Sequence, residues 1–474
     1  MYKKIIVIFF VIFALVVACA INPVTGKNEL MLISESQEIQ MGKETDQAIN
    51  MQFGYYDDPA LTKYVRRLGQ SLVSHTHRPN LTYHFAVLDT PVVNAFAAPG
   101  GYIYVTRGAL ALMRSEAELV TILGHELGHV NARHSARKMS QLLLAQVGLV
   151  VGSALSETFR DLSGAASIGV QLLFLKFSRN DEYQADTLGV EYSRKALFHP
   201  GKMIDFFASL QKMGDLSGGS SIPGFLSTHP LTAKRISEVG DMLTGDDMQL
   251  TINKNPYMNR INNLVYGDDP RQGFVEANTF YHPLMRFSFS IPQGWKFQNQ
   301  RTQVTLVSPD DNAAIILQAE QSSQDLRNYA TQRAQKLEGA TYLGEQSLQI
   351  NGLQSYQQLY EIPQQDQQPL KMRVSYIRKN DFIYAFSAFS TSQNYGNYDF
   401  QFGTIIGSFR QLNDRRYLDR KPNTLKVIKA DGRKTLQQYF QQARINKELW
   451  PRFAIMNGLE LGDVPQRNQL IKIL

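Results

Sequence analysis

The spacing of apolar residues along this chain changes several times, and each change predicts a different element. The first run, Ile5 to Ala18 in "MYKKIIVIFFVIFALVVACA", is uninterrupted and follows Lys3 and Lys4. It is too short to span a bilayer comfortably and suits a signal segment over residues 1–18. Further on, "GGYIYVTRGAL" places β-rich residues after a Gly-Gly turn, which predicts a strand entered through the loop Asn94 to Gly101. "TILGHELGHVNARH", Thr121 to His134, reads as an apolar helix. Two more apolar segments, Leu142 to Leu155 and Ala166 to Phe177, are joined by the polar "SETFRDLSG". They predict a buried helical hairpin, with contact to a lipid surface as the alternative. From Tyr281 to Phe409 the pattern alternates, as in "MRFSFSIPQGW" and "AAIILQAE", around one helix over Ser323–Leu337 and a Gln-rich loop, "IPQQDQQPLK". From Leu425 onward the order is strand, helix, helix, strand.

Composition changes this picture little. With 474 residues, 43% hydrophobic and 19% charged, the chain is ordinary globular material with room for about three domains. The net charge of +7 gathers in "RRYLDRKPNTLKVIKADGRK" rather than in a groove with interleaved aromatics, so nucleic acid is not an expected partner. That run reads as a solvated linker, with anionic lipid or an acidic polymer as alternatives.

The single cysteine matters more. Cys19 follows Val16, Val17 and Ala18, which resembles a bacterial lipobox, where cleavage before the cysteine exposes it to acylation. An uncleaved signal anchor is the alternative. Ala20 stands where lipoproteins kept at the inner membrane carry Asp. The expected location is therefore the periplasm, with Cys19 anchored at the inner face of the outer membrane. The mature chain then has no disulfide, and its stability falls to its core and a metal.

The helix at Thr121 carries the chemistry. His125 and His129 stand one turn apart on one face, so both imidazoles can bind one metal while Glu126 takes a proton from bound water. After the apolar hairpin, "SRNDEYQADTLGVEYS" again spaces two acids by four, with Glu182 able to ligate and Asp186 able to fix the tautomer of a metal-binding histidine. Glu191 reads as an exposed acid. His134 lies roughly 140° round a continuous helix from His129 and so points away. A longer histidine motif would need Gly at 132 and His at 135, where Ala132 and Ser135 stand.

"NAFAAPGGYIYVTRGAL", "TILGHELGHVNARHS", "SRNDEYQADTLGV" and "STHPLTAKRI" occur in an order that resembles the CAAX-prenyl-protease-like and HtpX-like family of zinc metallopeptidases, in its soluble periplasmic lipoprotein branch. The resemblance runs from about Ile21 to Leu243. It implies one zinc held by His125, His129 and Glu182, with Glu126 as general base. The implied fold of that region is a mainly α zincin-like metallopeptidase domain with a small β-sheet; the alternating stretch after it reads as an α+β domain, and the last segment resembles a degenerate LysM module, a small βααβ unit. The expected boundaries are 1–18 for the signal, 19–268 for the peptidase domain, 275–413 for the α+β domain and 422–474 for the module. The chain departs from the family's membrane-embedded members in lacking long apolar helices, and no repeat of about 34 residues follows the peptidase region.

These readings point to an envelope endopeptidase whose substrates are unfolded or misassembled envelope proteins. The alternative is a chaperone-like or scaffold protein with a weakly active or gated zinc site. An extended substrate is expected to pair along Asn94, Gly101, Tyr102, Ile103 and Tyr104 unless that strand is internal. Peptidoglycan is the partner expected of the C-terminal module, with a structural cap as the alternative. His229, ahead of Pro230, is expected at a helix N-cap as a catalytic hydrogen-bond donor; a packed capping histidine and a fourth zinc ligand are the alternatives. Arg235, on the helix that follows, is expected to pair with Asp186 or Glu182.

Overall fold

The computed structural model describes residues 19–150, 176–216, 224–364 and 367–474. The signal segment 1–18 and most of the expected helical hairpin lie outside the described residues. The chain divides into two compact units, Met1–Asp268 together with Asn423–Leu474, and Asp269–Pro422.

In the first unit, β1 (Cys19–Ile21) pairs antiparallel with β2 (Asn28–Leu30). Helix α1 (Glu35–Phe53) starts on a capping box formed by Ser34 and Gln37. Helix α2 (Pro59–Val73) starts on Asp58, with Pro59 in its first turn, and buries Leu61, Val65, Leu68 and Leu72 at helical spacing. A three-stranded sheet follows: β3 (His84–Leu88), β4 (Ala95–Ala98) and β5 (Tyr102–Thr106), in the order β3-β5-β4. Between β4 and β5 the chain turns through Gly100 and Gly101, at φ 74° and 95°. A Cβ on Gly101 would stand 2.5 Å from the Thr82 carbonyl oxygen, so the turn requires glycine. The strand expected to receive substrate is therefore internal. Tyr102, Ile103 and Tyr104 pair with β3 on one side and β4 on the other, which leaves β3 and β4 as the edges of the sheet.

Helices α3 (Arg107–Leu112) and α4 (Glu116–Asn131) follow. All of α4 is buried, which is why its sequence shows no polar face. It stops where Arg133 adopts φ 55°, a conformation held by Glu38 at 2.9 Å and the Ile33 carbonyl at 2.8 Å. A separate helix, α5 (His134–Val150), starts there. Helix α6 (Arg179–Lys195) begins on a capping box of Ser178 and Asp181 and lies directly on α4. Small residues permit this: a Cβ on Gly128 would meet Ala185 Cα at 3.0 Å, and one on Gly124 would meet Gly189 Cα at 3.2 Å. Helices α7 (Lys202–Leu216), α8 (Gly224–Thr228) and α9 (Ala233–Asp241) close over this pair. Among the described residues, no helix is long and apolar enough to cross a membrane.

The second unit is built on the alternating pattern. Its four-stranded sheet contains β6 (Phe274–Glu276), β7 (Thr279–His282), β8 (Phe287–Ser290) and a short late strand. Its seven-stranded antiparallel sheet contains β9 (Lys296–Asn299), β10 (Val304–Val307), β11 (Ala313–Gln321), β12 (Thr341–Ile350), β13 (Leu353–Gln364), β14 (Gln367–Lys379) and β15 (Phe382–Thr391). Helix α10 (Leu326–Ala334) falls inside the stretch expected to be helical, and α11 (Tyr395–Gly407) buries Phe402 and Ile405 in a core with Phe289, Ile315 and Phe386. The late strand, β16 (Arg410–Gln411), joins the smaller sheet beside β8. The Gln-rich stretch differs from the expected loop: Ile362 to Gln364 and Gln367 to Lys371 extend β13 and β14, and residues 365–366 lie outside the described residues. Polar side chains suit strand ends that project beyond the apolar core.

The C-terminal segment has the expected order, β17 (Lys426–Lys429), α12 (Leu436–Gln442), α13 (Trp450–Asn457) and β18 (Leu470–Ile473), with β17 antiparallel to β18. It is not a body apart. Leu436, Phe440, Phe453 and Ile471 share one apolar cluster with Leu110 and Leu112, and Leu425 exchanges backbone hydrogen bonds of 2.8 Å with Asn263 and Leu264. The second unit accordingly runs over Asp269–Pro422 rather than 275–413. The buried Lys472 ammonium donates to the carbonyls of Ala111, Leu112 and Met113 at 2.7, 3.3 and 2.5 Å, capping the C-terminal end of α3. Burial pulls this lysine below its ordinary range, and Glu118 opposes the shift.

Lys472→Met leaves those carbonyls without a donor and is expected to cost about 3 kcal/mol, read as a lower urea midpoint. A second measurement concerns acid. The Arg194 guanidinium lies 2.7 and 2.8 Å from Asp247 and holds that carboxyl down to about 2. A carboxyl lowered on folding stabilises above its unfolded value of about 4 and loses that contribution as pH falls through 4 toward 2. The urea midpoint should fall across that window, and less steeply in Arg194→Met.

Candidate metal centre

Four side chains from three segments meet inside the first unit. His125 and His129 project from α4, Glu182 from the first turn of α6, and His229 from the residue that follows α8. One ligand atom from each lies within 4.8 Å of all the others, and all four residues are buried. His129 Nε2 is 3.1 Å from His125 Nε2. Glu182 lies 3.7 Å from His125 Nε2 and 3.6 Å from His129 Nε2. His229 Nδ1 is 3.4 Å from His125 Nε2 and 2.9 Å from Glu182 Oε1. The stacked ring of Phe177 covers His129 at 4.1 Å, and Phe225 covers His229 at 4.6 Å.

A second layer holds these groups. His125 Nδ1 lies 2.9 Å from Asp186 Oδ1. Arg235 grips Asp186 through two bonds of 2.7 Å and reaches Glu182 at 2.8 Å, so one buried guanidinium serves both carboxylates. Burial raises the Glu182 and Asp186 carboxyls, but the surrounding cations and imidazoles outweigh it and leave both below the usual range. Burial holds His129 well below its ordinary value, with the neighbouring histidines adding to the effect. Glu126 differs from these acids. Its carboxyl is raised by burial, and among the described residues no arginine pairs with it. His229 Nε2 lies 3.7 Å away from it.

Two residues sit otherwise than the sequence suggested. His134 does not point away: it is buried, with Nδ1 at 2.9 Å from His129 Nδ1 and Nε2 at 2.9 Å from Gln184 Oε1. A continuous helix would turn it outward, but the left-handed Arg133 interrupts the helix. Asn131 near the helix end was the available signal. His229 is not an N-cap. Its amide donates to the Phe225 carbonyl at 2.8 Å, so it ends α8, while Thr232 caps α9. The expected helix start is therefore not behind its ring. Burial lowers His229, but Glu182 and Glu126 outweigh it and leave the imidazole raised. Asn94 and the internal Tyr102 to Tyr104 do not join the cluster, whereas the backbone amide of the β4 residue Ala97 is near enough to favour the Glu126 anion.

The donor set fits a metal ion. With Nδ1 of His125 and of His129 each turned to a partner, both Nε2 lone pairs and a carboxylate face one point, an arrangement that repels itself unless a cation sits there. A family model described as Peptidase family M48 matches residues 59–243, which takes in all of these groups. The chain carries a peptidase family M48 domain.

Over 226 residues the chain is 31% identical to the beta-barrel assembly-enhancing protease of Yersinia pestis, covering 46% of each chain. It is 29% identical over 206 residues to the mitochondrial metalloendopeptidase OMA1 of Arabidopsis thaliana, covering 43% of this chain and 41% of that one. The chain thus spans about half the length of the curated relatives it matches. The solution structure of cyanobacterial PsbP (CyanoP) from Synechocystis sp. PCC 6803 aligns with 28% of this chain and 91% of its own at 12% identity and a TM-score of 0.25, too slight a likeness to argue from.

In the M48 domain, the α4–α6 crossing decides whether Glu182 reaches the histidines. Gly128→Val drives two methyl groups toward Ala185 and Leu188. Metal content, expected at about one ion per purified wild-type chain, should fall to a small fraction of that, with far-ultraviolet circular dichroism largely kept.

Proposed function

We propose that this chain is a zinc-dependent endopeptidase of the bacterial cell envelope, tethered through Cys19 at the periplasmic face of the outer membrane and acting on misfolded or unassembled envelope proteins. The name of the Yersinia pestis relative, a protease that enhances beta-barrel assembly, supports the substrate class. One observation carries the chemistry: Glu126, a fully buried carboxylate that no arginine pairs with among the described residues and whose burial raises it, stands beside a cluster of three imidazoles and a carboxylate. A general base needs such a poised carboxylate, whereas a scaffold does not.

His125, His129 and Glu182 would hold the metal, and Asp186 with Arg235 fixes His125 and Glu182. The chemistry that a zinc ion would supply there is Lewis acidity toward a water and a peptide carbonyl. Glu126 accepts the proton from the attacking water and returns it to the leaving amine. Its raised carboxyl suits a group that must both take and release that proton. The edge of β4 beside Glu126 supports backbone pairing with an extended substrate, which is tolerant of sequence.

For His229 the geometry favours the fourth-ligand reading over the hydrogen-bond donor, because Nδ1 lies 3.4 Å from His125 Nε2 and 2.9 Å from Glu182 Oε1, within the cluster of ligand atoms. The C-terminal segment reads best as a structural cap, since its apolar face and Lys472 are spent on the peptidase core.

Glu126→Gln is expected to keep zinc while losing hydrolysis of unfolded casein by at least about 10²-fold; retained turnover would remove the mechanism. His229→Ala is expected to keep zinc and raise turnover, by opening a position for water. A fall of about 10²-fold would reinstate the donor role.

A further inference from the structure

We infer that His134 and Gln184 form a one-way hydrogen-bond relay that fixes which nitrogen of His129 is left bare, making His134 a positioning residue for the metal. This rests on the zinc reading above. The relay starts at its far end. Gln184 Oε1 can only accept, and it lies 2.9 Å from His134 Nε2, so that nitrogen carries the proton. Asp181 Oδ1, 3.7 Å from the same nitrogen, favours a proton there as well. His134 Nδ1 is then bare. It lies 2.9 Å from His129 Nδ1, and two ring nitrogens at that distance share one proton, so His129 Nδ1 donates. His129 Nε2 is left with its lone pair, and it is the atom that faces His125 Nε2 at 3.1 Å and Glu182 at 3.6 Å.

The two metal histidines are thus oriented by different means. His125 is set by a carboxylate that Arg235 neutralises. His129 is set by an imidazole and an amide, in a pocket where both rings are about 1% exposed. A carboxylate at His134 would add a buried negative charge where the nearby arginines are already engaged, Arg235 by Asp186 and Glu182 and Arg137 by Asp181 and Glu29. The sequence carries the relay as "HVNARH" followed by the Gln two residues after Glu182, and the break at Arg133 is what lets His134 turn back toward His129.

The test uses the full-length protein with ¹⁵N-labelled histidine and needs no turnover. In the metal-free wild type, ring spectra should show the proton on Nδ1 of His129 and on Nε2 of His134. A proton on Nε2 of His129, or on Nδ1 of His134, overturns the relay. Zinc affinity, measured by competition with a chelator, should fall 10–100-fold in His134→Phe, which keeps a flat ring without an acceptor, and should recover largely in His134→Gln, whose amide oxygen can accept from His129. Equal affinity in wild type and His134→Phe would also overturn it. If His134→Phe fails to fold, the wild-type spectrum together with Gln184→Met, expected to mix the two His134 tautomers, still decides. A wild-type protein that binds no zinc would instead remove the proposed function, while the metal-free spectrum would still judge the relay.

Discussion

The close approach of α4 and α6 is the constraint on which the rest of this site depends. Histidines on one helix and carboxylates on another can share a metal only if the two backbones come nearer than ordinary side chains allow. Here Gly124 and Gly128 face Gly189 and Ala185, so closely that a Cβ on either glycine would stand 3.2 or 3.0 Å from the opposite backbone. The ligand spacing and the glycine spacing are both four residues, so the two rows run side by side along the helices. One row brings the helices together and the other makes the chemistry. A helix that is buried on every side, as α4 is, can hold such a crossing without the slack that solvent-facing helices have.

Burying this much charge has to be balanced locally. Against the burial that raises both, Glu182 is drawn below its usual range chiefly by the His229 imidazole, with His125 and Arg235 adding to it, and Asp186 chiefly by Arg235, with His125 adding to it. Glu126 faces only the more distant His229 imidazole, 3.7 Å away, and burial raises it instead. Within one small volume, carboxylates therefore have opposite tendencies, set by whether close hydrogen-bonded partners outweigh burial, as His229 and Arg235 do at Glu182 and Asp186 and nothing does at Glu126. That division matches the roles proposed for them, since ligands serve as anions and a general base must exchange a proton.

The C-terminal segment shows the same economy on the scale of the fold. Its strand-helix-helix-strand order is the order of a small independent module, yet its apolar face lies in the peptidase core and Lys472 plugs the end of α3. Residues hundreds of positions from α4 in sequence thereby hold the helix that leads into it. The chain leaves the unit at Asp268, builds the β-rich unit, and returns at Asn423 to finish the first.

What the sequence determined by itself was local. The i, i+4 pairs His125/His129 and Glu182/Asp186 were legible because a helix places those residues on one face whatever surrounds it, and the period-2 alternation after Tyr281 announced strands for the same reason. Tertiary structure decided the rest. The place of His134 was not legible because the break at Arg133 is held by Glu38, a partner far off in the chain. That of His229 was not legible because proline suits a helix start in general, whereas here Thr232 took the cap and Phe225 took the His229 amide. Tyr102 to Tyr104 carry strong strand propensity, but whether a strand is central or at an edge depends on which neighbours arrive, and β3 and β4 arrived on both sides. The C-terminal segment's apolar residues announced that a face would be buried without saying against what. Periodicity reports which residues share a face; only long-range packing, whose partners are not adjacent in sequence, selects what that face meets.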